Sequence, residues 1–249
     1  MQNQFDPRTT AGGYDPAVSV GVPGVARDAG LRSYMLKVYN YMASGVALTG
    51  IVALLFAPYA RDILINANGT GLSGLGWLIA FAPLGFVFAM SFGVNRMRTS
   101  TLQIPFWSFA GVMGLSMSTL FLAYTGVSIA QTFFATAAAY VGLSLYGYTT
   151  KRDLSGFGTF LIMGVVGLLV AMVINIFLQS STMALVISAI GVLLFAGLTA
   201  YDTQRIKSMY DYVAGTDMQG KAVIMGALNL YLDFINMFQF LLSLMGNRR

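Results

Sequence analysis

The chain has 249 residues, 57% hydrophobic and only 9% charged, with 14 Lys and Arg against 9 acidic residues and a mean hydropathy of +0.71. Soluble domains carry about 25% charged residues, so this composition excludes an ordinary soluble protein and defines an integral membrane one. There is no His, no Cys and no Glu, so any proton or cation chemistry near neutral pH falls to Asp.

Residues 1–33 are rich in Gly, Pro, Ala and Asp, lack a sustained apolar period and read as a disordered tail. They hold no apolar core of a signal peptide, so the first membrane helix is expected to act as its own targeting signal. Residues 34–249 then form one membrane domain. Crossing a hydrocarbon core of ~30 Å takes about 20 apolar residues, and seven runs meet that length, near 34–57, 75–95, 102–124, 127–149, 157–178, 182–206 and 222–245. Their lack of period-two alternation excludes a barrel and leaves a helical bundle. Between the first two runs, Gly71, Gly74 and Gly76 imitate a phosphate loop but follow no strand and precede no Lys-Ser/Thr, so they read as a flexible connection. Asn68-Gly69-Thr70 has the form of a glycosylation triplet. The pairs Gly111 with Gly114 and Gly164 with Gly167 have the spacing that lets helices pack closely. Trp77, Tyr146 and Tyr148, near helix ends, read as interface anchors.

Lys and Arg beside the helix ends set the orientation. Arg8, Arg27, Arg32 and Lys37 precede or open the first helix; Arg96 and Arg98 follow the second, Lys151 and Arg152 the fourth, and Arg205, Lys207 and Lys221 flank the sixth-to-seventh turn. The other side has Arg61 alone between the first two helices. The N-terminus is therefore expected in the cytoplasm. Arg248 and Arg249 run against the rule, so either the first helices dominate the orientation or the last segment is re-entrant. Bases scattered two or three per loop describe a positive-inside membrane protein, and no nucleic-acid partner is expected despite the net charge of +5.

Two acids lie inside apolar runs: Asp202 in GLTAYDTQRIK and Asp233 in GALNLYLDFINMFQFLL. Ionisable groups at such depth mark function by default. They fall almost symmetrically about the turn between the last two helices, so an antiparallel hairpin sets them at one depth. Two carboxyls meeting in a low dielectric cannot both ionise cheaply, and a shared proton makes a pH-sensitive latch. Asn229, Asp233 and Asn236 recur at i, i+4 and i+7, a polar stripe on one helix face that could line a cation path or simply hold helices together. Arg205, three residues after Asp202, could form an ordinary ion pair with it.

The runs AYDTQRI, LYLDFINMF and YGYTTKRDLSGFGTFL resemble the transmembrane Bax inhibitor motif family in its bacterial branch, over nearly all of the chain after residue 30. The resemblance implies seven helices with the last one central and wrapped by the other six. It implies a pH-dependent Ca²⁺ leak channel of the bacterial inner membrane, multi-pass, with no enzymatic activity. Its controlling aspartates correspond here to Asp202 and Asp233. An arginine at the end of the second helix, best met by Arg96 and next by Arg98, is expected to latch onto the sixth-helix aspartate. No carboxylate is present in the second helix, and no cofactor is expected beyond transiently bound Ca²⁺. The same resemblance implies a second role, as partner or regulator of a membrane-anchored ATP-dependent protease, with the tail as a segment to grip.

Paired membrane aspartates also describe intramembrane aspartyl proteases. Tyr201-Asp202 fits their first motif, but Leu230, Tyr231, Leu232 and Asp233 stand where those enzymes carry Gly-x-Gly-Asp. That reading is the remotest of the three.

Overall fold

A computed structural model describes residues 22–69 and 71–248. The rest of the tail, with Arg8, lies outside the described residues, as do Thr70 and Arg249. Among the described residues seven helices are long and apolar enough to cross a membrane: α1 (Val22–Leu64), α2 (Gly74–Gly93), α3 (Thr99–Ala123), α4 (Gly126–Thr149), α5 (Ser155–Leu178), α6 (Ser181–Val213) and α7 (Met218–Met245). The regular pattern of α3 pauses between Met117 and Leu120.

The first helix begins at Val22, within the segment expected as tail. Its 43 residues at 1.5 Å each measure about 64 Å, and the 33 residues of α6 about 50 Å. Both exceed a bilayer core of ~30 Å, and their excess lies at the same end. There Arg27 donates to both carboxylate oxygens of Asp211 at 2.9 and 2.7 Å, and the Tyr34 and Tyr210 rings pack 5.4 Å apart. These contacts explain why residues without an apolar period are helical: α6 gives them a partner.

The last helix is one continuous element of 28 residues, which removes the re-entrant alternative. Its C-terminal end is tied down at the end opposite the basic loops. Asn247 donates to the Ser128 hydroxyl at 3.0 Å and accepts from the Thr125 N–H at 3.1 Å. The Arg248 guanidinium lies 6.0 Å from the Tyr124 ring centre, the range of a cation–π contact.

Burial grades the bundle. Half of the most apolar stretch of α7 is buried and 44% of that of α6, against 11% for α5 and 17% for α2. The α6–α7 hairpin, closed by Gly215 at φ 72°, makes the most extensive pairing. The last helix packs extensively on α1, α3, α4 and α6, while α2 packs mainly on α3 and α5 mainly on α6. Small residues set the closest approaches. A Cβ at Gly147 of α4 would collide with the Ala200 carbonyl of α6, and one at Gly114 of α3 with the Thr49 carbonyl and Val52 of α1. Gly164 lies against Leu194, whereas Gly111 and Gly167 face open space, so only one glycine of each expected pair is a packing contact. Gly76 abuts the Leu64 carbonyl and Ser73 caps α2 through the Gly76 N–H at 3.0 Å, giving the glycine-rich run a structural role. Trp77 and Tyr146 are exposed near helix ends, as interface anchors are; Tyr148 is half-buried beneath Lys207.

Candidate functional site

The α6–α7 hairpin brings Asp202 and Asp233 together, with their carboxyl groups close enough to interact directly. Asp233 is 4% exposed, enclosed because α7 is covered on several sides, and Asp202 is half-buried. One oxygen of the pair, Asp233 Oδ2, is buried with no hydrogen-bond partner among the described residues. The Tyr140 hydroxyl of α4 is buried in the same condition, and Tyr140 interacts electrostatically with Asp233 and Asp202. The pair thus has an unsatisfied donor and an unsatisfied acceptor in its surroundings, which is rare for buried polar groups.

A second polar chain adjoins the pair. Tyr39 of α1 bonds the Ser144 hydroxyl of α4 at 2.7 Å, and Ser144 bonds Thr203 of α6 at 3.0 Å. Thr203 is fully buried and directly follows Asp202. Toward the basic end, Lys207 donates to the Tyr148 carbonyl at 2.7 Å with its ammonium 4.8 Å from the Tyr148 ring centre.

On the other side of the pair the stripe of α7 continues. Asn236, one turn beyond Asp233, donates to the Leu232 carbonyl at 2.8 Å, which leaves its own carbonyl oxygen free of that bond. It lines a cavity of about 400 Å³ between α5, α6 and α7, together with Gln239, Ser243, Ser188 and Asn175. Ser188 donates to Ser243 at 2.9 Å, and Asn175 accepts from the Ser180 N–H at the α5–α6 turn, at the end of the bundle away from the basic loops. Asn229, one turn to the basic side of Asp233, is half-buried.

The expected arginine latch is not formed. Arg96 is exposed in the α2–α3 turn, Arg98 is exposed at the start of α3, and neither has an ion pair among the described residues. The cation that acts on Asp202 is Arg205, through space and outside ion-pair distance. Arg96 belongs to the exposed α2–α3 turn, outside the helices that carry the two aspartates.

Among the described residues no group of three or more acidic ligands is assembled, so the oxygen donors here are two carboxyls and neighbouring amides and hydroxyls. Such a set matches hard cations held weakly. Sequence reasoning missed Tyr140, Tyr39, Ser144 and Thr203. Tyr140 and Ser144 are one turn apart on α4, a spacing that could have flagged an inward polar face.

The bundle and its buried acids define a multi-pass α-helical membrane protein with an ionisable pair at its centre. The chain belongs to the family described as inhibitor of apoptosis-promoting Bax1, whose pattern matches residues 31–249. An uncharacterized protein of Rickettsia prowazekii is 48% identical, covering 89% of this chain and 92% of the relative. An uncharacterized protein of Caulobacter vibrioides is 45% identical, covering 95% and 97%. The inner membrane protein YbhL of Escherichia coli is 42% identical, covering 89% and 94%.

Proposed function

We propose that the chain is a pH-sensitive cation leak channel of a bacterial inner membrane, carrying Ca²⁺, with Asp202 and Asp233 as its gate and its N-terminus in the cytoplasm. The observation that carries the reading is the contact of a buried carboxyl, Asp233, with a half-buried one, Asp202, inside an otherwise apolar bundle, with the orphaned Asp233 Oδ2 beside it. A buried acid pair is costly and is not needed to hold two apolar helices together. What it supplies is sensitivity: facing carboxyls hold one proton between them, and losing that proton sets two like charges against each other. The closed packing is then replaced by one in which the acids part.

Polar groups in series on either side support a path. The cavity lined by Asn236, Gln239 and Ser243 lies on the far side of the pair, with Asn236 one turn from Asp233, and the Tyr39, Ser144 and Thr203 hydroxyls with Asn229 lie on the basic side. Weak oxygen ligation suits conduction, since an ion must leave as readily as it enters. Location in the inner membrane rests on the likeness to YbhL, and the cytoplasmic N-terminus on the basic loops sharing one end.

Ca²⁺ entry into liposomes holding the purified protein, followed with a trapped fluorescent indicator across a pH series, tests the proposal. Asp202→Asn and Asp233→Asn should each abolish the pH dependence. Unchanged flux in both would overturn the gate, and absence of flux from the native protein would overturn the channel.

A further inference from the structure

The α4–α5 loop and the flank of α6 enclose a second cavity, of about 320 Å³, at the basic end of the bundle. Gln204 builds it. Its carbonyl oxygen accepts from the Leu154 N–H at 2.9 Å and its amide donates to the Arg152 carbonyl at 2.7 Å, clamping the loop onto α6. Lys151 and Arg152 thereby share one cavity wall with Arg205. Among the described residues none of these three cations has an ion pair.

The one carboxylate lining the cavity is already engaged. Asp153 accepts from the Ser155 N–H at 2.9 Å, and its hydrogen bonds to Ser155 hold its carboxyl below the usual carboxylate range. It offsets one charge of three and stays turned to the first turn of α5. Asp202 acts on Arg205 from one turn away without contacting it. The cavity therefore keeps an excess of positive charge, with the Ser155 and Ser208 hydroxyls as further hydrogen-bonding groups in its wall.

What lies beside it selects the ligand. From the first turns of α5, Phe157 and Phe160 project outward, both exposed, their rings stacked with centres 6.2 Å apart. They open the apolar outer face of α5, along which Met163, Val166 and Val170 are also exposed. A cationic cavity thus meets a surface made for acyl chains. Basic pockets between membrane helices at the cytoplasmic side are suited to anionic headgroups. We infer that Lys151, Arg152 and Arg205 bind the phosphate of an anionic phospholipid, with its acyl chains along Phe157 and Phe160. Inorganic phosphate shares the chemistry of the headgroup and must be separated from it by experiment.

Native mass spectrometry of the full chain in neutral detergent, titrated with phosphatidylglycerol or phosphatidylcholine, reads binding independently of cation flux. Phosphatidylglycerol should be retained in preference. Each base removed should weaken its binding about fivefold and the pair Arg152→Gln/Arg205→Gln about 25-fold, while Arg61→Gln at the opposite end changes nothing. Equal retention of both lipids, or native retention in the double variant, overturns the site. Displacement of the lipid by millimolar inorganic phosphate assigns the cavity to a soluble anion and overturns the lipid source. Thermal melting of each variant separates lost binding from lost fold. Should the double variant melt early, Lys151→Gln carries the test, because that exposed side chain has no hydrogen bond among the described residues.

Discussion

Replacing either aspartate by asparagine keeps the shape of the pair and removes one of its two charges. On the proposed gating, raising the pH strips a proton shared by the pair and leaves two carboxylates facing each other. At a separation of about 4 Å and an effective dielectric of about 20, two unit charges repel by ~4 kcal/mol. That is a factor of about 10³ in the ratio of open to closed packings. The sign follows: protonation favours the closed arrangement and deprotonation the open one, so leak should rise with pH across the titration of the pair. In Asp233→Asn the amide donates to Asp202 at every pH, so the repulsion never develops. Flux should stay flat at or below the native low-pH level, and Asp202→Asn should behave alike. The assay is indicator-reported Ca²⁺ entry into liposomes with matched protein content, from pH 5 to 8. If either variant keeps the native pH profile, the repulsion argument is wrong. A native flux that falls as pH rises would reverse the assignment of the closed state.

Close packing gives a second prediction: Gly147→Ala, which drives a methyl into the Ala200 carbonyl, should cost about 1–3 kcal/mol by overpacking, while Gly111→Ala, facing open space, should melt like the native chain. Thr49→Val strands the Tyr231 hydroxyl, which Thr49 meets at 2.6 Å while it also donates to the Ala110 carbonyl at 2.8 Å. The loss should be about 1 kcal/mol, read by thermal melting in detergent with Tyr231→Phe/Thr49→Val largely restoring stability. Removing residues 1–21 leaves the Arg27–Asp211 bridge intact, and Ca²⁺ flux should be unchanged; a change confined to protein lifetime in cells would point to a tail-gripping protease partner. Arg96→Gln should leave the pH profile of flux unaltered, because that exposed side chain holds no ion pair among the described residues.

The bundle was legible because a hydrocarbon core demands runs of a fixed length, and nothing else in this composition supplies them. All seven expected spans lie within the observed helices to within a residue or two at each end. The ends were less legible: α1 and α6 extend beyond the apolar runs because they stabilise each other through Arg27–Asp211 and Tyr34–Tyr210, contacts between residues 184 apart in sequence for the ion pair. The acid pair was legible for a geometric reason, since a short turn makes equal distances along two antiparallel helices into equal depths. The hydroxyl chain was not. Ser144 and Thr203 are ordinary residues of membrane helices, and their meeting with Tyr39 depends on how α1, α4 and α6 are rotated about their axes. Arg96 shows the converse: its place in the sequence suggests a latch onto Asp202, yet it is exposed in the α2–α3 turn and forms no ion pair among the described residues.

The same packing indicates which parts of the bundle can yield when the acids repel. Prising α6 from α7 would open the most extensive helix interface in the molecule, where 44% and 50% of the two apolar stretches are buried. The outer helix α5 has far less to lose, with 11% of its stretch buried and α6 as its main neighbour. It also flanks the cavity that contains Asn236, so packing on that side of the pair is already incomplete. Elements with few buried contacts move at the lowest free-energy cost. On the proposed gating, repulsion between Asp202 and Asp233 would be accommodated most cheaply by displacement of α5, on the side of the cavity that holds Asn236. In the proposed channel, a gate at the best-packed hairpin and a compliant wall beside it would divide the work, the one sensing the proton and the other making room for the ion.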